Sequence, residues 1–126
     1  MAGKYPLQVA MAVMDVAHAI GHRLGSDHSK KVFATALAFE LERRGWPFIA
    51  NYRFVSKGGD RTYTVDLAVD GLVYTNIYCQ QAPAPPDIRR RMASYLANLD
   101  RAIGLVIDFS KEPLKEGLMV IEKDQG

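Results

Sequence analysis

Apolar residues recur every three or four positions from Pro6 to Leu24, at Val9, Val13, Val16, Ile20 and Leu24, with Ala10, Met14 and Ala17 beside them. Such a stripe runs along one side of a helix, and Gly25 is suited to turning the chain out of it. A second stripe, Val32, Phe33, Ala36, Leu37 and Leu41, predicts a helix capped by Ser26 or Asp27. Arg43-Arg44-Gly45 closes it, setting basic side chains at the negative end of the helix dipole. With only a few residues between them, the two helices are expected to form an antiparallel hairpin.

At Trp46-Pro47 the helical period gives way to alternation. Phe48, Ala50, Tyr52 and Phe54 alternate with Asn51 and Arg53, predicting a first strand that reaches Val55. Lys57-Gly58-Gly59-Asp60 turns the chain into a hairpin between Tyr63 and Tyr78. There Val65, Leu67 and Val69 alternate with Thr64, Asp66 and Ala68, and Asp70-Gly71 marks the reversal, because glycine takes positive φ without steric cost. The prolines between Gln80 and Pro86 preclude regular structure. A third helix follows, with the stripe Ile88, Met92, Tyr95, Leu96, Leu99 and Ile103. Leu105 to Phe109 is nearly all apolar, as in a strand covered on both faces. Pro113 and Gly117 bound a loop, Leu118 to Ile121 reads as a last strand, and Lys123 to Gly126 is expected to fray. The order ααβββαβ, with a final strand, predicts one α/β domain over 1–126. Its meander and helical crossover give a mixed sheet with helices packed on it.

Composition narrows the chemistry. The 126 residues are 48% hydrophobic and 24% charged, ordinary for a globular domain, and the formal charge of +2 does not by itself call for nucleic acid. Cys79 is the single cysteine, which excludes an intramolecular disulfide and a cysteine metal cluster. No apolar run is long enough for a membrane span, and Met1-Ala2-Gly3-Lys4 leads into an amphipathic stretch rather than a signal peptide, so a cytoplasmic protein is expected.

Three blocks carry a family likeness: Ala36 to Phe48, Tyr63 to Gly71, and Gly104-Leu105-Val106-Ile107-Asp108-Phe109. In this order and spacing the chain resembles the GxxExxY proteins, relatives of the PD-(D/E)XK nuclease fold. The resemblance implies an Asp on one strand and Glu-x-Lys about ten residues later on the next, where carboxylates hold Mg²⁺ and Lys helps to activate water. Here Asp66 stands at the Asp position, but Asn76-Ile77-Tyr78 replaces Glu-x-Lys. The positions that name the family fall on Asp27, Lys30 and Phe33, and the glutamine expected on the following helix falls on Arg91. Asp66, Asn76, Tyr78, Lys30 and Arg91 therefore outline a vestigial site with no catalytic residue, no metal and no cofactor. For Asp66 and Asn76 to share one face, the hairpin needs a connection of odd length. A three-residue loop or a bulge is predicted, with Gly71 at positive φ. With its metal lost, Asp66 is expected to pair with Lys30 or Arg91, or else to face water.

Other arrangements are weaker. Asp60, Asp70, Glu40 and Glu42 could supply replacement carboxylates, but the first two lie at turns and the others near a helix end. His18 and His22 share the i, i+4 spacing of a zinc pair without a third ligand beyond Asp15, and His28 adds none. Arg89-Arg90-Arg91 with Lys30 and Lys31 could meet phosphates, although consecutive helical residues point in different directions. Tyr52, Phe54, Tyr74 and Tyr78 form a neutral aromatic set suited to an interface, and the first and last strands offer sheet edges. The expected function is a catalytically inactive nuclease fold acting as a homo-oligomer or binding a protein partner. Nucleic-acid binding without cleavage is the alternative, ahead of a weak Mg²⁺-dependent nuclease; no membrane role is expected.

Overall fold

A computed structural model describes residues 5–100 and 102–122. Its elements are α1 (Pro6–Leu24), α2 (Lys30–Arg43), β1 (Phe48–Val55), β2 (Thr62–Val69), β3 (Val73–Tyr78), α3 (Ile88–Leu96), β4 (Ile103–Asp108), a short 3-10 turn (Leu114–Gly117) and β5 (Leu118–Glu122). The strands lie side by side in chain order. All neighbours are antiparallel except β3 and β4, which the crossover through α3 makes parallel. Sequence had predicted this mixed architecture and its edges, β1 and β5. The expected fraying of 123–126 lies outside the described residues.

Two layers of core flank the sheet. On one side Val9, Val13, Val16 and Ile20 of α1 and Phe33, Leu37 and Leu41 of α2 are fully buried against Leu67, Val69, Ile77 and Leu105. Phe33 stacks on Phe109, with ring centroids 4.2 Å apart. On the other side α3 buries Ile88, Met92 and Leu96 against Val65, Tyr74 and Val106. Gly104 permits that approach: a Cβ there would lie 2.9 Å from Met92 Cε.

Two boundaries and one alternation pattern differ from the sequence reading. The cap of α2 is Ser29, whose Oγ accepts a hydrogen bond from Val32 N, so Ser26 and Asp27 remain in the connection. The cap followed the nearest serine able to reach the first turn. Helix α3 ends at Leu96. Leu99 falls in the following turn and Ile103 opens β4, because the apolar stripe runs on without a break into a strand that is apolar on both faces. The alternation in β1 and β2 is also not continuous. Leu67 and Val69 pack toward α1 and α2, whereas Val65 and Tyr63 pack toward α3. The change of face falls at Asn51, which has φ 52, and opposite it at Asp66. The paired residues run from Ala50↔Leu67 to Tyr52↔Val65 across that point. A left-handed residue rotates the strand about its axis, and strict period 2 is lost.

Candidate functional site

The β2–β3 connection has three residues. Val69 pairs with Val73, and Asp70, Gly71 and Leu72 form the loop, closed by Leu72 N donating to Val69 O at 3.0 Å. Asp70 and Gly71 have φ of 55 and 65, which explains the Asp-Gly sequence. This loop, of the predicted odd length, sets Asp66 opposite Asn76, but the single shared face that the sequence reading required is not formed: the Asp66 carboxylate is met by Lys30 of α2 on one side of the sheet and the Asn76 carboxamide by Met92 of α3 on the other.

At that pair, side chains take over hydrogen bonds that a regular ladder would give to the backbone. Regular pairing between β2 and β3 runs from Val69↔Val73 to Leu67↔Thr75. Next along, Asp66 N donates to Asn76 Oδ1 at 3.1 Å, and Ile77 N donates to Asp66 Oδ2 at 2.7 Å. Asn76 is buried and its Nδ2 lies 3.3 Å from Met92 Sδ on α3. The remaining carboxylate oxygen, Asp66 Oδ1, faces Lys30 Nζ at 3.1 Å. Lys30 reaches it from the first turn of α2 and stands 5.7 Å from the centre of the Tyr78 ring. Its side chain is 40% exposed and that of Asp66 17%, so the pair contributes about 1 kcal/mol or less.

Tyr78 stays protonated far above neutrality. Burial raises its phenol to about 12, helped by Tyr95 and the Asp66 charge and opposed by Arg91. It can supply neither the positive charge nor the base that a lysine would. Arg91 is drawn elsewhere: its Nε donates to Asp87 Oδ1 at 2.9 Å, and of the two expected cations only Lys30 forms the ion pair with Asp66.

Several other carboxylates are engaged locally. Glu40 accepts from Arg43 Nε with both oxygens at 3.1 Å and from Arg44 Nε at 3.1 Å. Arg43 foremost holds its carboxyl down at about 2. Asp60 accepts from Ser56 Oγ, and Asp108 from Ser110. No group of three His, Cys, Asp or Glu able to hold a metal occurs among the described residues. His18 and His22 line a cavity of about 240 Å³ with Lys111 and Lys115, while His28 lies 2.8 Å from Leu24 O.

The aromatic surface expected from sequence is largely interior. Phe54 and Tyr74 are buried, while Tyr52 and Tyr78 are half-buried. Tyr52 lies 5.8 Å from Tyr74, and Phe54 lies 6.4 Å from Tyr95 of α3. The correction has two causes: the turn of face at Asn51 swings Tyr52 and Phe54 of β1 to the α3 side, where Tyr74 and Tyr78 of the inner strand β3 already pack. The exposed apolar side chains are others, among them Phe39 on α2 and Ile49 and Val55 on the edge strand β1.

Residues 7–121 match the family model of the PD-(D/E)XK nuclease superfamily. The chain belongs to that superfamily. No curated protein and no solved structure gives a significant match. The mixed sheet and the helices before it agree with a PD-(D/E)XK fold. The divalent cation that this superfamily implies does not fit the residues present. A hard cation needs several free oxygen ligands, and here the one carboxylate is engaged by an amide N–H and an ammonium, beside a neutral carboxamide turned to the backbone. Sequence reasoning missed the Ile77 N–H, Met92 and Asp87. Only Asp87 carried a signal, lying three and four residues before Arg90 and Arg91. No helix among the described residues is long and apolar enough to cross a membrane.

Proposed function

We propose that this PD-(D/E)XK domain is a non-catalytic member of the GxxExxY type and that its fold serves association rather than phosphodiester hydrolysis. The blocks around Ala36 to Phe48, Tyr63 to Gly71 and Gly104 to Phe109 support the narrower family. The observation that carries the loss of hydrolysis is the double engagement of Asp66, by Lys30 Nζ at 3.1 Å and Ile77 N at 2.7 Å. With Tyr78 neutral and Asn76 tied to the Asp66 amide, nothing at the site matches the metal-and-lysine arrangement that activates water.

Association is the role that the remaining surface favours. Strand β1 is a sheet edge, with Ile49 57% and Val55 58% exposed, and an edge with open backbone groups is a template for pairing. A homo-oligomer, most simply a twofold dimer, or a protein partner would cover it. Light scattering across a dilution series tests this reading. A mass above the monomer that falls on dilution, and falls further in Ile49→Lys, is expected. A monomer at every concentration would overturn self-association. Cleavage of DNA with Mg²⁺ or Mn²⁺ that disappears in Asp66→Ala would overturn the non-catalytic reading.

A further inference from the structure

Beyond Tyr78, on the α3 side of the sheet, lies a cavity of about 390 Å³ lined by Arg61, Tyr63, Arg90, Arg91, Ser94 and Tyr95, with Asp87 among them. Three guanidinium groups and one carboxylate give it a clear positive excess. Asp87 gathers two of them: its carboxylate accepts from Arg90 Nη2 at 3.1 Å and from Arg91 Nε at 2.9 Å. Each guanidinium gives one N–H to that contact and keeps others for a ligand. Arg61 joins from the residue before β2. The side chains of Arg90 and Arg91 are 83% and 55% exposed, so they form an open rim, where Asp87 and the cavity bring them together with a third exposed arginine distant in sequence.

The aromatic side of the cavity is equally defined. Tyr63 and Tyr95 lie with ring centroids 4.8 Å apart, and the buried Phe54 backs both, at 5.5 Å from Tyr63 and 6.4 Å from Tyr95. Rings held in this way offer a fixed apolar surface to a planar group. Forked donors beside such a surface suit an oxyanion carried on a ring, since arginine meets phosphate oxygens two at a time. The volume lies within the range of small-molecule sites.

We propose that this cavity binds a phosphomonoester carried on a planar ring, of which a nucleoside monophosphate is the representative small molecule. The ring packs against Tyr63 and Tyr95. The phosphate takes the free N–H groups of Arg61, Arg90 and Arg91, with the Ser94 hydroxyl in reach of the same cavity. The site is independent of Asp66 and requires no metal.

Isothermal titration of the whole chain with adenosine monophosphate, adenosine, inorganic phosphate and a single-stranded oligonucleotide lacking a terminal phosphate tests the proposal. The monophosphate is expected to bind at least about tenfold more tightly than adenosine or phosphate alone, because only it engages both walls, and to weaken as salt is raised. Arg61→Gln, an exposed position, should weaken it by about tenfold or more, while Lys30→Ala should leave it unchanged. Tyr95→Leu should reduce the preference for the monophosphate over inorganic phosphate, with circular dichroism confirming the fold. The proposal is overturned if the monophosphate binds no better than inorganic phosphate. Affinity unchanged in an Arg61→Gln/Arg90→Gln double variant, or binding of the oligonucleotide without the monophosphate, would overturn it as well.

Discussion

Each end of α2 brings a cation and a carboxylate together, but by different means. At the C-terminal end Glu40, Arg43 and Arg44 sit within one turn of helix, so the contacts form as soon as the helix does. They tie the buried carboxylate to the point where the helix stops, before Gly45. At the N-terminal end Lys30 meets Asp66, a residue of another element, and only because β2 and β3 stop pairing regularly beside it. The first pair is a local device for ending a helix. The second depends on the three-residue hairpin loop, the turn of strand face at Asn51, and the exchange of hydrogen bonds between Asp66 and Asn76. Equal charges in the sequence thus report on different levels of the fold.

The largest effect is expected where the remote pair is removed. Asp66→Ala deprives Ile77 N–H of its acceptor and Lys30 of its partner, and should cost about 1–3 kcal/mol in urea unfolding. Asp66→Asn retains an acceptor and should recover at least half of that loss. If Asp66→Ala were neutral, the seam between β2 and β3 would not depend on this side chain.

A smaller effect is expected at the local pair, and it is read through pH. The Glu40 carboxyl is lowered from 4.5 to about 2, chiefly by the Arg43 hydrogen bond. A depressed folded-state value means that the contribution is complete above about 4.5 and is lost as pH falls toward about 2. Acid unfolding of Glu40→Gln should therefore show a shallower loss of stability across that window than the parent chain. Coincident curves would remove Glu40 from the account.

Lys30→Met isolates the Coulombic part of the remote pair and should cost no more than about 1 kcal/mol, since both groups are partly exposed. A loss as large as that of Asp66→Ala would make the ion pair, rather than the Ile77 N–H bond, the main support of the seam. The smallest effect belongs to Tyr78→Phe, which should change little at neutral pH. Because burial disfavours the Tyr78 phenolate and raises its phenol from 10 to about 12, the parent chain keeps its full stability below 10 and loses part of it as pH rises toward 12, a loss that the phenylalanine variant lacks. Ultraviolet titration should accordingly lose its latest-ionising tyrosine in this variant.

Much of the fold was legible because local rules agreed. The α1 stripe, the Arg-Arg-Gly stop of α2, the Asp-Gly reversal and the apolar β4 each point to one answer. The odd-length loop followed from requiring Asp66 and Asn76 to share a site. Less legible was whatever depends on strand rotation. Nothing in Tyr52-Arg53-Phe54 announces that Asn51 turns the strand, and so the aromatics expected outside lie largely within. The choice of Lys30 over Arg91 was equally hidden, because it depends on Asp87 claiming the arginine first.

The most direct measurement is a Mn²⁺ titration of the parent chain and of Asp66→Ala, followed by water-proton relaxation and by thermal unfolding. If Lys30 and Ile77 N–H hold the Asp66 carboxylate as described, the two proteins should show the same weak, non-specific response and no metal-dependent gain in stability. Saturable Mn²⁺ binding in the parent chain that is lost in Asp66→Ala would contradict the account.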